Sequence, residues 1–267
     1  MSRTPLGRLL TVMKSDEPHF SRMLLDVEAS HIEIDLYRPV DATLHGAEGP
    51  PVIVIVPGAA SKNWHGYRAL CEPLAMALAD AGFSSLNFAA RGQEPCPGTW
   101  SLQSMLTDLG ALLHHLRSTG LSRIGLLAYS AGTSVALAYV LQDPNWVRSV
   151  AMWGTCFSPF YASFYSDIAE ARRRLAKLGT RISDDFRVPS SMMPEHLLPS
   201  VTVPLLLAFG TEDQYSSISD QLTAFTRSAS SRSEFVVIKN ATHAITSAHP
   251  AFPDLIAVFR SWFFRTL

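Results

Sequence analysis

Three polar side chains, far apart in the sequence, have the chemistry of nucleophilic catalysis. Ser130 stands between an apolar strand-like run and an apolar helix-like run, and Asp213 and His243 each follow a later strand-like run. A serine hydroxyl is a poor nucleophile until a neighbouring base accepts its proton, and an acid commonly holds that base in position. These residue types therefore predict acyl transfer through Ser130, if the fold brings the three together.

Small residues surround Ser130 where the chain must turn sharply from strand to helix. Ala128 lies two positions before it and Gly132 two positions after it. Such a corner lifts the hydroxyl clear of the sheet. It also brings the amide of Ala131 to a helix N-terminus, where free N–H groups and the helix dipole favour negative charge. Taken alone, the segment also fits a serine in an ordinary tight turn.

The segment Ala128-Tyr129-Ser130-Ala131-Gly132 resembles the G-x-S-x-G nucleophile elbow of the α/β-hydrolases, with alanine in place of the first glycine. The order serine, acid, histidine is also that of this family. The chain looks like an α/β-hydrolase from about residue 20 to residue 267. The resemblance implies that Ser130 is the nucleophile, Asp213 the acid and His243 the base.

Two neighbours are alternatives for these roles. Glu212 directly precedes Asp213 and could supply the carboxylate instead. His249 also follows the last strand-like run, but it stands further along the chain beside Pro250. Asp213 and His243 are the preferred assignments.

The same resemblance implies two backbone amides that bind the negative charge on the former carbonyl oxygen. One is the amide of Ala131. The other is assigned to Ala59, in the loop that follows the first buried strand, where proline stands in the position at which the family often has histidine. Gly58 allows close approach of this backbone, although it also fits a plain turn glycine.

Aromatic residues recur at helical spacing after residue 156. Phe157, Phe160, Tyr161, Phe164 and Tyr165 share one helical face. This face either packs a cap onto the body of the protein or forms an apolar wall for a substrate group. The candidates for the substrate pocket are Tyr129, Phe157, Phe160, Tyr161 and Phe164.

Strand-like and helix-like runs alternate along the chain and must position these residues. The strand-like runs of this pattern are 52–56, 84–88, 124–128, 147–153, 205–209 and 235–238, and the helix-like runs are 65–82, 102–116, 131–141, 218–228 and 253–264. This alternation predicts an α/β fold with a mostly parallel central sheet and helices on both faces. Residues 31–38 alternate as an antiparallel edge strand, paired with 21–28 as a hairpin.

The alternation of strand-like and helix-like runs is interrupted at residues 156–202, which predicts a small cap insertion over the carboxyl ends of the strands. The Arg91-Gly92-Gln93 segment resembles a turn common in capped members of the family, where its role is structural. Residues 1–20 are interpreted as an N-terminal arm outside the sheet, and residues 21–267 as the α/β-hydrolase domain.

Composition excludes several other classes of protein. Lys plus Arg is 22 and Asp plus Glu is 23, for a formal net charge of −1, which argues against nucleic-acid binding. Three widely spaced cysteines exclude a disulfide framework. No phosphate-loop, dinucleotide or zinc-protease motif is present, so no cofactor and no metal are expected. Without a signal peptide or an apolar run long enough to span a membrane, a cytoplasmic protein is expected.

The predicted function is therefore hydrolysis of an ester-type bond of a small or medium apolar substrate, through an acyl-enzyme on Ser130. The alternatives are an acyltransferase or cyclase that uses the same acyl-enzyme, a carbon–carbon bond hydrolase, and a non-catalytic ligand-binding homologue. The expected partner is a small molecule with an acyl group, and a homodimer is left open.

Overall fold

The computed structural model describes residues 9–14, 19–40, 49–59 and 63–267 of the chain. Within these ranges the strands are β1 (Leu9–Lys14), β2 (Phe20–Val27), β3 (Ser30–Tyr37), β4 (Val52–Val56), β5 (Ser84–Ala89), β6 (Ile124–Tyr129), β7 (Val147–Trp153), β8 (Leu205–Glu212) and β9 (Ser233–Thr242). The helices are α1 (Asn63–Asp80), α2 (Leu102–Ser118), α3 (Ala131–Gln142), α4 (Ser158–Phe164), α5 (Ile168–Lys177), α6 (Pro194–Leu197), α7 (Ile218–Phe225) and α8 (Phe252–Thr266).

The described strands form one open sheet in the order β1-β2-β3-β5-β4-β6-β7-β8-β9. Neighbours are antiparallel from β1 to β5. From β5 across β4 to β9 they are parallel. The predicted α/β class, with a mostly parallel sheet, is therefore confirmed. The parallel strands all end at one edge of the sheet, where open α/β sheets bind their ligands.

Strand β4 shows how the sheet divides the core into two layers. All five of its residues are buried, as its unbroken β-branched composition predicts. Successive side chains of a strand point to opposite faces. Val54 accordingly packs on the face that α2 and α3 cover, and Ile53 and Ile55 on the face that α1 and α8 cover. Helices thus lie on both faces, as predicted.

The predicted insertion at 156–202 contains α4, α5, α6 and two 3₁₀ turns, Ser190–Met192 and Leu198–Ser200. It packs against the core on the side of α2 and α3, through side chains such as Phe157, Tyr161 and Phe186. It also meets the turn after β5, where Gln93 and Thr180 form an isolated antiparallel bridge. The insertion therefore contacts the body both through buried side chains and through this bridge, and its role as a cap stays a prediction.

Two expectations differ from the structure. Residues 1–20 were expected outside the sheet, and this is wrong for Leu9–Lys14, which pair with β2 as an added antiparallel strand. The outer edge of a hairpin presents unpaired backbone groups that such a strand satisfies; residues 1–8 and 15–18 lie outside the described residues. Strands β8 and β9 are also longer than expected, so Asp213 and His243 each come directly after a strand.

No helix among the described residues is long and apolar enough to cross a membrane.

Candidate active site

Ser130 occupies a strained corner between β6 and α3. Its φ is +53° and its ψ is −122°, and its amide donates to the carbonyl of Trp153 at 2.9 Å. Non-glycine residues rarely adopt such a backbone, which costs on the order of 1–3 kcal/mol. The small neighbour Gly132 is required here, because an added Cβ would lie 2.4 Å from the carbonyl oxygens of Val56 and Pro57.

A continuous line of hydrogen bonds joins the three residues that the sequence singled out. Nε2 of His243 lies 3.1 Å from Oγ of Ser130. Nδ1 of His243 lies 3.2 Å from Oδ1 of Asp213 and 3.0 Å from its Oδ2. Since an ionised carboxylate only accepts hydrogen bonds, this arrangement assigns the proton to Nδ1 and leaves Nε2 free to accept.

Burial isolates the acid of this line from solvent. The Asp213 side chain is 0% exposed and that of His243 only 6%. Oδ1 of Asp213 also accepts from the amide of Tyr215 at 2.9 Å. The carboxylate is thereby oriented by its own loop as well as by the imidazole.

Neither alternative residue joins this line. Glu212 is exposed, and it pairs with Thr242 in the ladder between β8 and β9. His249 accepts from the amide of Ala251 through Nδ1 at 3.1 Å, near the start of α8. The geometry therefore favours Asp213 and His243 over both.

Four neighbours fix the position of the His243 ring. The Trp153 indole donates to the His243 carbonyl at 2.8 Å. The rings of Tyr129 and Tyr215 lie with their centroids 5.3 Å and 4.6 Å from the imidazole, Tyr215 in an edge-on arrangement. Gly154 has a φ of +59°, and an added Cβ would lie 3.0 Å from Cε1 of the ring. The imidazole thus has little freedom to turn away from Ser130.

Cys156 lies beside the serine, with its Sγ 3.7 Å from the Ser130 Oγ. Burial raises the pKa of the Cys156 thiol to about 12. The thiol is therefore neutral at pH 7, and a neutral thiol is a weak nucleophile. Ser130, and not Cys156, is the hydroxyl or thiol that bonds to the imidazole Nε2.

The loop after β4 packs directly against Ser130. An added Cβ on Gly58 would lie 3.1 Å from the Ser130 Cβ and 3.2 Å from the Tyr129 ring. Ala59 follows in this loop, and Ala131 begins α3 on the other side of Ser130. The two residues that were predicted to supply oxyanion amides therefore lie on the two segments that flank the serine.

The structure places two of the five predicted pocket residues, Phe160 and Tyr129, near the His243 ring. Phe160 packs on Tyr215 at 5.0 Å, which links it to the His243 ring, and Tyr129 contacts that ring directly. Phe157 and Tyr161 are buried, and the Tyr161 hydroxyl lies 3.3 Å from the Ser134 hydroxyl.

Phe164 stacks on Phe160 at 5.4 Å and packs against Tyr165 at 4.9 Å, within the cap. The substrate role of all five pocket candidates stays a prediction.

Sequence reasoning missed Tyr215 and Trp153. Tyr215 lies two residues after Asp213, and an aromatic residue so close to a candidate acid is a usable signal. Trp153 is the last residue of β7, and nothing in the sequence indicates the hydrogen bond from its indole to His243.

No group of three or more His, Cys, Asp and Glu side chains in the described ranges is arranged to hold a metal ion.

Comparisons with known proteins agree with this architecture. No protein-family model matches the chain, and no curated protein sequence matches it. Among solved structures it is similar to DcsB in complex with its substrate analogue, with 14% identity over 92% of this chain and 99% of the other, and a TM-score of 0.69. An esterase from Pyrococcus furiosus matches with 13% identity, 92% of each chain covered and a TM-score of 0.69.

An esterase from Thermogutta terrifontis matches with 18% identity, over 92% of this chain and 98% of the other, and a TM-score of 0.63. These matches span nearly the whole of each chain, and a neighbour from Chitinophaga pinensis is itself described as an α/β-hydrolase fold protein. The sheet order, the corner at Ser130 and these similarities agree, and the chain therefore has the α/β-hydrolase fold.

Proposed function

We propose that this chain is a serine hydrolase that cleaves an ester-type bond through an acyl-enzyme on Ser130. The observation that carries this proposal is the line of hydrogen bonds from the Asp213 carboxylate through the His243 ring to the Ser130 hydroxyl. The esterases among the structural neighbours support it at the level of the fold.

The first half of the reaction forms the acyl-enzyme. The Ser130 Oγ attacks the ester carbonyl carbon while its proton passes to Nε2 of His243. The tetrahedral intermediate then breaks its bond to the leaving oxygen, which takes the proton from Nε2 and departs as an alcohol. Asp213 stays ionised throughout and stabilises the imidazolium that forms between these steps.

The second half releases the acid. A water molecule attacks the acyl carbon and gives its proton to Nε2 of His243. The second tetrahedral intermediate expels the Ser130 oxygen, which recovers the proton from Nε2. The carboxylic acid leaves, and the free serine and the neutral histidine are restored.

In both halves, negative charge develops on the former carbonyl oxygen. We assign its stabilisation to the amides of Ala59 and Ala131, on the two segments that flank Ser130. Ala131 has the further advantage of a helix N-terminus, where the dipole of α3 favours an anion. Loss of one such donor typically lowers kcat by about 10²- to 10³-fold.

The surroundings of His243 favour an apolar substrate of small or medium size. The half-buried Phe160 and the exposed Tyr215 form an aromatic surface beside the imidazole. Such rings offer a large contact area to an acyl or aromatic group.

The test is labelling by a fluorophosphonate, followed by intact-mass measurement. We expect one adduct on the wild-type protein, none on Ser130→Ala, and strongly slowed labelling on His243→Ala. His249→Ala is the matched histidine control and should label at nearly the wild-type rate, since His249 lies outside the hydrogen-bonded line.

Turnover of p-nitrophenyl esters is then measured on the same proteins. Ser130→Ala should lower kcat by roughly four to six orders of magnitude while the protein stays folded. A folded wild-type protein that neither labels nor turns over any ester in the series would overturn the proposal.

A further inference from the structure

Two buried side chains from outside the loop after β4 hold the two carbonyls that flank the Ala59 amide. Nε2 of Gln93 donates to the carbonyl of Gly58 at 2.8 Å. Oγ1 of Thr180 donates to the carbonyl of Ala59 at 2.7 Å. Both Gln93 and Thr180 are 0% exposed, so their own side chains are out of contact with solvent. The carbonyls on either side of the Ala59 amide are therefore both anchored.

The bond to Gly58 controls the direction of the Ala59 amide. The Gly58 carbonyl and the Ala59 N–H belong to the same peptide, which is trans. In a planar trans peptide these two groups point in opposite directions. A side chain that holds the Gly58 oxygen therefore aims the Ala59 N–H to the other side, and rotation of this peptide would break the bond.

Gln93 has only one orientation that satisfies its surroundings. Its Oε1 accepts from the amide of Ala90 at 3.1 Å, while its Nε2 faces the Gly58 carbonyl. Reversing the side-chain amide would set donor against donor at Ala90 and acceptor against acceptor at Gly58. The backbone of Gln93 is fixed as well, since its N–H donates to the Ala90 carbonyl at 2.9 Å.

The insertion completes this support. Thr180 bridges to Gln93, and the flanking backbone bonds run from Glu94 to Gly179 at 2.9 Å and from Arg181 to Gly92 at 2.8 Å. Backbone hydrogen bonds thus hold Gln93 and Thr180 next to each other, in addition to the bonds that each makes to the loop after β4. Gln93 holds the peptide before the Ala59 Cα, and Thr180 holds the peptide after it, so a change at either side chain alters the backbone of Ala59.

We infer that Gln93 and Thr180 are positioning residues that aim the Ala59 amide at the developing oxyanion. This inference rests on the proposed function, because it assigns a task to the Ala59 amide. It also gives the insertion a part in the chemistry, through Thr180.

The primary test is Gln93→Met, which keeps the length of the side chain and removes both of its hydrogen bonds. We expect kcat to fall by about 10- to 100-fold with KM changed by less than about threefold, because a misaimed amide loses an interaction made in the transition state. Thr180→Val, which removes only the hydroxyl, should show a smaller loss of the same kind.

A matched control separates this effect from general destabilisation. The Ser85 hydroxyl also makes a buried bond to a backbone carbonyl, that of Ala75 at 2.6 Å, between β5 and α1. Ser85→Ala should lower the melting temperature and leave kcat within about twofold of the wild type. Equal losses of kcat in Ser85→Ala and Gln93→Met would overturn the inference.

A trifluoromethyl ketone analogue of the ester provides a readout that a merely structural role would not move. Its adduct with Ser130 carries a negatively charged oxygen in the position of the oxyanion. We expect its Ki to rise in Gln93→Met by about the same factor as kcat/KM falls. An unchanged Ki beside a reduced kcat would contradict the role in aiming the amide.

Gln93→Glu tests the hydrogen-bond donor itself. A protonated glutamic acid can donate to Gly58 and accept from Ala90 as glutamine does, whereas a carboxylate opposes the Gly58 carbonyl. The ratio of mutant to wild-type kcat should therefore fall as pH rises, with partial rescue at the acidic end. A ratio independent of pH, in protein that remains folded, would refute the requirement for a donor.

The two proposals fail in different ways. A wild-type protein that turns over no ester and binds no trifluoromethyl ketone refutes the proposed function. A wild-type protein that does both, beside Gln93 and Thr180 variants with unchanged kcat and Ki, refutes only the positioning role.

Discussion

Gly154 makes room for the His243 ring, and its replacement by alanine tests how closely the position of that ring controls the rate. The added Cβ would lie 3.0 Å from Cε1 and 3.1 Å from Nδ1 of His243, whereas ordinary contact begins at 3.4 Å. The ring must therefore retreat by about 0.4 Å. The Nε2 to Oγ distance is already 3.1 Å, so a shift of this size weakens the bond to Ser130.

The expected loss follows from the size of this shift. A misplacement of about 1 Å costs roughly 10²-fold in rate, so about 0.4 Å scales to a fall in kcat of about 5- to 10-fold. The φ of +59° adds about 1–2 kcal/mol of backbone strain for alanine. Gly154→Ala should thus be both slower and less stable than the wild type.

Gly120→Ala is the control that separates strain from contact. Gly120 has a φ of +88°, and among the described residues an added Cβ meets no atom within 4 Å. The assay is p-nitrophenyl ester turnover beside thermal unfolding of both variants. A wild-type kcat in Gly154→Ala, or an equal loss of kcat in Gly120→Ala and Gly154→Ala, would refute this role of Gly154.

Three further predictions concern the same site. Asp213→Asn should lower kcat by about 10⁴-fold, because asparagine favours the wrong tautomer of His243. Glu212→Gln, at an exposed position, should leave kcat unchanged, and steady-state kinetics measures both variants. Trp153→Phe should destabilise the fold by about 1–3 kcal/mol, because the buried His243 carbonyl loses its donor, and it should lower kcat as well; urea unfolding and kinetics measure both. Iodoacetamide at pH 8 should leave Cys156 unmodified in the folded protein, since burial raises the pKa of its thiol to about 12. An adduct at Cys156, detected by mass spectrometry, would contradict the burial of this thiol.

The sequence predicts those site residues whose position depends on the backbone alone. The small residues around Ser130 indicated a sharp corner, and such a corner is set by local sterics. Asp213 and His243 were indicated by their place at strand ends, because parallel strands of one sheet finish at one edge. The line of hydrogen bonds among the three follows from these two rules.

Other features depend on contacts that no periodicity records. Strand β1 forms because an edge is free to accept it, and the edge is a property of the assembled sheet. The bond from Trp153 to His243 joins side chain to backbone across 90 positions. Its existence depends on the exact path of the loop that begins at His243, which strand and helix patterns leave undetermined.

The elements that position Asp213 and His243 differ from those that position the Ala59 amide. Asp213 and His243 are positioned by the ends of β8 and β9, within the sheet itself. The backbone of Ala59 is held on one side by Gln93, in the turn after β5, and on the other by Thr180, in the insertion, 121 positions away from its acceptor. Under the proposed mechanism, the acid and the base therefore depend on the sheet, whereas the aim of one oxyanion amide depends on the turn after β5 and on the insertion. Changes in the cap can then alter kcat without altering the hydrogen bonds among Ser130, His243 and Asp213.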